Sequence, residues 1–395
     1  MISRLSIING VKNSKFIYTI YYYMGSVGIS ILKLFLKTDE KLIVFNSYGG
    51  RKYDDSPKAV YEKMINDPRF EDYKFVWAFL HPEEHDVPKA SIIKIDTFAY
   101  YKALIKARVW VTNSSMTRGL DFLGKHTFIL NTWHSTTVKK IGTDVKKDSQ
   151  SFTPKSNKSM ASIMLAQGTY DVNMLSRVFN LPKEIFRITG LPRNDRLVHA
   201  TEEDRILMRS KLGIPADKKV LLYAPTYREY ENDEWGNCVM SIPVDFNKWK
   251  EKLGKEYVLL LRAHYGVVKV LKIQENDFIR NVSNYPELND LMIASDVLIS
   301  DYSSIFVDFS ILGRPMLCFT YDYELYERER GLCFDVRKEL SSYITDEDTL
   351  IKEIQNLDIE ERSRIAKMFC SKFIESCGNA AQSSVDFIYE AIAVH

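Results

Sequence analysis

From Lys41 onward the chain alternates short apolar runs with longer stretches in which apolar residues recur at helical spacing. KLIVFNSYGG reads as a buried strand ending in a glycine turn. SPKAVYEKMIN reads as a helix, with Ser56 as N-cap and Pro57 in its first turn. YKFVWAFL, SIIKID, RVWVTNS and HTFILNTWH supply further strands, and MASIMLAQG and IFRITGLPRNDRL continue the series. A helix from about Glu202 to Leu212 stops at Gly213, with Pro215 just beyond. A second series starts at KVLLYAPTYR and runs through EYVLLLRAHY, FIRNVS, VLISDYSS and PMLCFTYD. This βαβα rhythm predicts an α/β protein with two doubly wound parallel-sheet domains.

The pattern assigns residues 38–205 to the first domain and 206–375 to the second, with a closing helix over 376–395. The last helices, about 347–395, finish the second domain or cross back to the first. Two such domains predict a cleft, and ligands of open parallel sheets bind beyond the carboxyl ends of the strands.

Residues 1–37 break the pattern. They carry Arg4, Lys12, Lys15, Lys33 and Lys37 and no acidic residue. FIYTIYYYMGSVGISILKLFL is apolar enough to weigh as a membrane span. Its tyrosines favour the headgroup zone and Lys33 interrupts the run, so the expectation is a membrane-associating segment lying on the surface, lysines toward anionic lipid, with a span and ordinary packing on the domain as the alternatives.

Composition narrows the classes. With 45% hydrophobic and 27% charged residues the 395-residue chain can bury a large core. A net charge of +2 gives no ground for a nucleic-acid partner. Cys238, Cys318, Cys333, Cys370 and Cys377 form no CxxC pair, which argues against zinc and against a disulfide framework. His81-Pro82-Glu83-Glu84-His85 imitates an inverted zincin motif, but Pro82 and the preceding strand make it a loop. No Walker A loop, GxGxxG or GxSxG is present.

The polar clusters fall where the fold rule expects ligands. His134 follows TFILN, and Arg193, Asn194 and Asp195 follow IFRITG. Thr226 and Arg228 follow VLLYAP, and Arg262 and His264 follow YVLLL. Ser300, Asp301, Ser303 and Ser304 close VLIS, with Asp308 four residues after Ser304. Hydroxyls and free N–H groups at a helix start suit an anion, and Asp308 suits ribose hydroxyls; the same residues also make a plain N-cap. Arg262 and His264 suit phosphate, or a surface arginine and a core histidine. LPRNDRL is a ligand loop or simple turn chemistry. His134, titrating near working pH, is the candidate general base, and Lys139 and Lys140 can hold an anionic substrate or lipid headgroup.

These motifs in order — KYDDSPKAVYE, NTWHSTTVKKIG, GLPRNDRL, YAPTYR, LLRAHY, SDYSSIFVDF and GRPMLCFTYDYELYERERG — resemble the CDP-glycerol glycerophosphotransferase family of teichoic-acid primases and polymerases. The resemblance covers roughly residues 41–340 and is carried by the whole series. It implies a GT-B-like fold and an enzyme peripheral to the cytoplasmic face of the bacterial membrane. It implies transfer of an alditol phosphate from CDP-glycerol or CDP-ribitol to a hydroxyl of an acceptor such as an undecaprenyl-diphosphate-linked saccharide, releasing CMP. His134 then falls on the family's base and His264 on its donor-binding histidine. Arg193, Thr226, Arg262, Ser303, Ser304 and Asp308 fall on donor positions. No cofactor is implied, beyond Mg2+ carried by substrate phosphates. One departure stands out: His134-Ser135-Thr136-Thr137 replaces the usual His-Gly-Thr-Pro. The alternatives are a GT-B nucleotide-sugar glycosyltransferase, a nucleotide-sugar epimerase, and a non-catalytic binder on the same scaffold.

Overall fold

The computed structural model describes residues 15–123, 126–145, 160–228, 230, 242–263 and 275–393. The chain divides into two compact units. Unit 1 comprises residues 1–135, 142–195 and 376–395, and unit 2 comprises 136–141 and 196–375.

Among the described residues, unit 1 holds a seven-stranded parallel sheet: β1 (Asp39–Asn46), β2 (Lys74–Phe79), β3 (Ala90–Lys94), β4 (Ala107–Thr112), β5 (Phe128–Asn131), β6 (Ile163–Ala166) and β7 (Phe186–Ile188). The order is β3-β2-β1-β4-β5-β6-β7. Both faces are covered, so the central strands are continuous apolar runs rather than alternating ones; every residue of β4 is buried, Arg108 included. Phe45, Tyr61 and Trp77 pack as one aromatic group on one face.

Unit 2 holds β8 (Lys219–Tyr223), β9 (Tyr257–Leu261), β10 (Ile279–Asn281), β11 (Val297–Ser300) and β12 (Met316–Cys318), again parallel, in the order β10-β9-β8-β11-β12. Each sheet therefore starts in its middle and grows outward in both directions. Strand order reverses between β1 and β4 and between β8 and β11, the places where the ends of such sheets leave room for ligands.

Two features differ from the sequence reading, and one settles an alternative it left open. The division falls after Asp195, not near 205, because helix Glu202–Lys211 packs on helix Leu288–Ala294 and its Arg209 pairs with Asp296 at 2.5 Å. The closing helix, Ala380–Ala393, belongs to unit 1, where both Asp195 carboxylate oxygens cap its first N–H groups at 2.9 and 2.8 Å. Helix Asp55–Met64 is capped by Asp54, not Ser56.

The segment at 16–36 is helical over Lys15–Phe35, and no described helix is long and apolar enough to cross a membrane. Its inner face is docked on unit 1. The Tyr21 hydroxyl donates to the Arg118 carbonyl at 3.0 Å, Asp121 N–H donates to Ser26 Oγ at 2.9 Å, and Lys33 Nζ donates to the Leu123 carbonyl. Ile29 joins the core. The hydroxyls of Tyr18, Tyr21 and Tyr22 and the Lys33 ammonium thus face protein, where the sequence suggests lipid, while Tyr23 is exposed. The outer face carries Phe16, Met24, Leu34 and Phe35, exposed by 74%, 72%, 81% and 78%.

Candidate functional site

Four strand ends of unit 1 build one cluster around His134. β5 ends at Asn131, whose side-chain oxygen accepts the Trp133 N–H at 2.9 Å; Trp133 then turns through φ +50 and presents His134. The imidazole packs on the Trp133 ring at 4.3 Å between centroids and lies 5.9 Å from Tyr48. Its Nδ1 is 2.8 Å from the Asn113 carbonyl, just past β4. A carbonyl only accepts, so Nδ1 carries the proton and Nε2 is left with its lone pair. Burial pushes the His134 pKa below the ordinary histidine value and Arg193 adds to this, against the Asn113 bond and Asp55. The ring is held neutral, in the tautomer a proton acceptor needs.

Arg193 and Asp55 complete the cluster. Arg193 Nη1 donates to Asp55 Oδ2 and to the His134 carbonyl, both at 2.7 Å. Asp55 also accepts from the Tyr48 hydroxyl and, at 2.5 Å, from Ser56 N–H. Burial works to raise its carboxyl, but Arg193 and these two donors outweigh it and hold Asp55 below the usual carboxylate range. Burial and Asp55 push the Tyr48 phenol well up, so it stays a donor. The Trp133 indole N–H is buried and finds no acceptor among the described residues.

The neighbours of Arg193 serve the fold. Asn194 is fully buried and donates to Gln167 at 3.1 Å, and Asp195 caps the closing helix. Gly190, at φ +81, lets the loop pass so close to Ser376 that a side-chain carbon would lie 2.6 Å from its carbonyl oxygen. GLPRND is therefore largely a structural hub from which one guanidinium reaches the histidine.

Unit 2 gathers its residues at the β8/β11 switch point. Asp301 accepts the Thr226 N–H at 2.9 Å and pairs with Arg228 at 2.9 Å. Arg228 is fully buried; its Nε and Nη2 reach Asp322 at 2.7 and 3.0 Å, and the Tyr302, Tyr321 and Tyr326 rings surround it at 5.0, 5.2 and 5.0 Å. Ser300 donates to the Ala224 carbonyl at 2.6 Å, tying β11 to the end of β8. Asp308 is buried with the rest of helix Ile305–Ser310. Ser303 Oγ accepts Ile305 N–H at 3.2 Å, while Ser304, half-buried at the N-cap position, makes no capping bond with its side chain. The Thr226 hydroxyl is buried and finds no partner among the described residues. Arg262 donates to the Val282 and Tyr285 carbonyls at 3.2 and 2.7 Å, and His264 lies outside the described residues.

Lys139 and Lys140 follow His134 closely in sequence, yet their segment, 136–141, belongs to unit 2. Lys139 bridges to Leu332, and Lys140 N–H donates to the Gly331 carbonyl at 3.1 Å. Lys139 Nζ sits 5.9 Å from the centre of the Tyr326 ring.

Sequence reasoning had missed Asp55, Tyr48 and Asn113. All three follow β1 or β4 at the switch point, so the rule that found His134 reaches them too once strand order is known. Among the described residues no group of three or more His, Cys, Asp or Glu is placed to hold a metal ion.

Two parallel-sheet units with their polar clusters at strand carboxyl ends define an α/β protein of GT-B type. The chain belongs to the CDP-glycerol:poly(glycerophosphate) glycerophosphotransferase family, whose model matches residues 29–390. It is 33% identical over 362 residues to a teichoic acid glycerol-phosphate transferase of Staphylococcus aureus, covering 86% of this chain and 91% of that one. It is 33% identical over 372 residues to a teichoic acid poly(glycerol phosphate) polymerase of Staphylococcus epidermidis, covering 89% of this chain but only 51% of that longer protein. The solved wall teichoic acid polymerase TagF superposes with a TM-score of 0.84 at 30% identity, over 98% of each chain. A histidine-to-asparagine variant of TagF, soaked with CDPG, superposes with a TM-score of 0.82 over 90% of each chain.

Proposed function

We propose that the protein transfers glycerol phosphate, or a related alditol phosphate, from CDP-glycerol to a hydroxyl of a lipid-linked acceptor. The observation that carries this is a neutral, half-buried His134 whose Nδ1 is fixed on the Asn113 carbonyl, which leaves the lone pair on Nε2. An acceptor hydroxyl gives its proton to Nε2 while its oxygen bonds to the alditol-bearing phosphorus. The bond from that phosphorus to the bridging oxygen breaks, and CMP leaves with the electron pair. Charge develops on phosphoryl oxygens, so positioning and electrostatics dominate the barrier. The unpaired indole N–H of Trp133 supplies a donor for a substrate oxygen beside the ring.

Unit 2 receives the donor. Thr226, Ser303 and Ser304 offer hydroxyls at the switch point, over the buried Arg228–Asp301–Asp322 frame. Arg262 and His264 are assigned to the phosphates, and Lys139 and Lys140 to an anionic acceptor. A divalent ion enters only with substrate phosphates. The CDPG-soaked TagF variant supports a CDP-alditol in such a fold.

Helix Lys15–Phe35 lies on the bilayer with its outer stripe down, keeping the enzyme on the surface that carries its acceptor. Removing the whole helix would uncover core, so the sharper test replaces Phe16, Met24 and Leu34 with serine. The expected outcome is loss of co-flotation with liposomes and an unchanged thermal midpoint; retained flotation refutes the assignment.

The deciding assay follows CMP release from CDP-glycerol and CDP-ribitol with a synthetic lipid-linked acceptor. His134→Ala is expected to lower turnover about a hundredfold or more. A nucleoside diphosphate product from a nucleotide sugar, with no CMP release, would move the reading to a glycosyltransferase.

A further inference from the structure

We propose that Asp55 and Arg193 form a positioning pair for His134: Arg193 clamps the histidine's backbone, and Asp55 holds Arg193 in place and balances its charge beside the imidazole. The inference rests on His134 as the proton acceptor and names what tunes it.

The geometry is specific. A single nitrogen, Arg193 Nη1, bridges Asp55 Oδ2 and the His134 carbonyl at 2.7 Å each. The three residues come from the start of helix Asp55–Met64, the loop after β5 and the loop after β7. Asp55 is itself over-determined. It accepts from Tyr48 and Ser56, and its backbone sits at φ +66, a left-handed position that aspartate tolerates through its short polar side chain. Such a residue away from glycine signals a constraint kept by its surroundings.

The charges explain why both partners are needed. Among the described residues, the charged and titratable groups facing His134 are Asp55 at the helix start, Arg193 after β7 and Tyr48 after β1, the last kept neutral. Asp55 alone would favour the imidazolium, which has no lone pair to offer. Arg193 alone would add to the lowering that burial already imposes. Burial keeps the ring neutral, and Asp55 and Arg193 act on it with opposite sign.

The test is an NMR titration of the histidine rings in the full-length protein, His134 being assigned by loss of its signal in His134→Gln. Asp55→Asn keeps the shape and tolerates the same backbone but removes the negative charge. It is expected to lower the His134 midpoint by about half a pH unit or more, and Arg193→Gln is expected to raise it by a similar amount. His134 works unprotonated, so the acidic limb of CMP release should move to lower pH in the first variant and to higher pH in the second. A residue that merely supports the fold would not move the two in opposite directions. Midpoints that stay put, or shift the same way, overturn the pair. If Asp55→Asn does not fold, Arg193→Gln decides alone: a midpoint that stays or falls overturns the proposal. Failure of the base reading looks different, because His134→Ala would then keep releasing CMP whatever the titrations show.

Discussion

Both units place an arginine–aspartate pair and a tyrosine at the ends of parallel strands, yet the two clusters do opposite things. In unit 1, Arg193 and Asp55 close on a histidine whose Nε2 keeps its lone pair in the fixed tautomer. In unit 2, Arg228 is wrapped by two carboxylates and three tyrosine rings, and all its charge is answered inside. Asp301 and Asp322 outweigh burial and keep Arg228 charged, while burial and the same carboxylates push the Tyr302 phenol far up, so that it donates to Asp322. A buried ion pair at a strand end is therefore not in itself a ligand site. What decides is whether any atom of the network is left unspent and accessible to substrate.

Breaking each network should separate these roles. The largest effect on stability is expected from Arg228→Met, which strands buried Asp301 and its partner Asp322; about 3–5 kcal/mol should be lost, read by chemical denaturation. His134→Ala should do the reverse, removing turnover while shifting the unfolding midpoint little. If Arg228→Met were as stable as the parent but failed to bind CDP-glycerol, the arginine would be a ligand group and the contrast between the units would collapse. Asp195→Ala tests the smallest term. It removes the double cap on the closing helix and should cost about 1 kcal/mol, with CDP-glycerol binding unchanged.

The predicted strands are all found, because parallel strands covered on both faces read as unbroken apolar runs between glycine and proline punctuation. His134 was legible as a candidate for a related reason: a titratable ring directly after such a run lies where ligands of parallel sheets bind. Asp55 was not. In KYDDSPKAVYE it looks like one more acidic residue at a helix start, and only its approach to Arg193, 138 positions away, gives it a role. Asp195 shows the converse. It looked like a ligand residue beside Arg193, and the return of the closing helix to unit 1 makes it a cap instead. Tyr18, Tyr21 and Tyr22 of the first helix likewise turn toward the Arg118–Asp121 loop, which nothing in their own segment announces.

The sequence by itself determined the elements, the two sheets, the family and the residue types available at each strand end, because periodicity, turn chemistry and motif order are local. Tertiary structure alone decided which of those residues share charge: that Arg193 serves His134, that Arg228 is locked inward, and that the lysines after His134 belong to unit 2. Electrostatic partnership depends on distances of a few ångströms between segments a hundred or more residues apart, and local pattern holds no record of such distances.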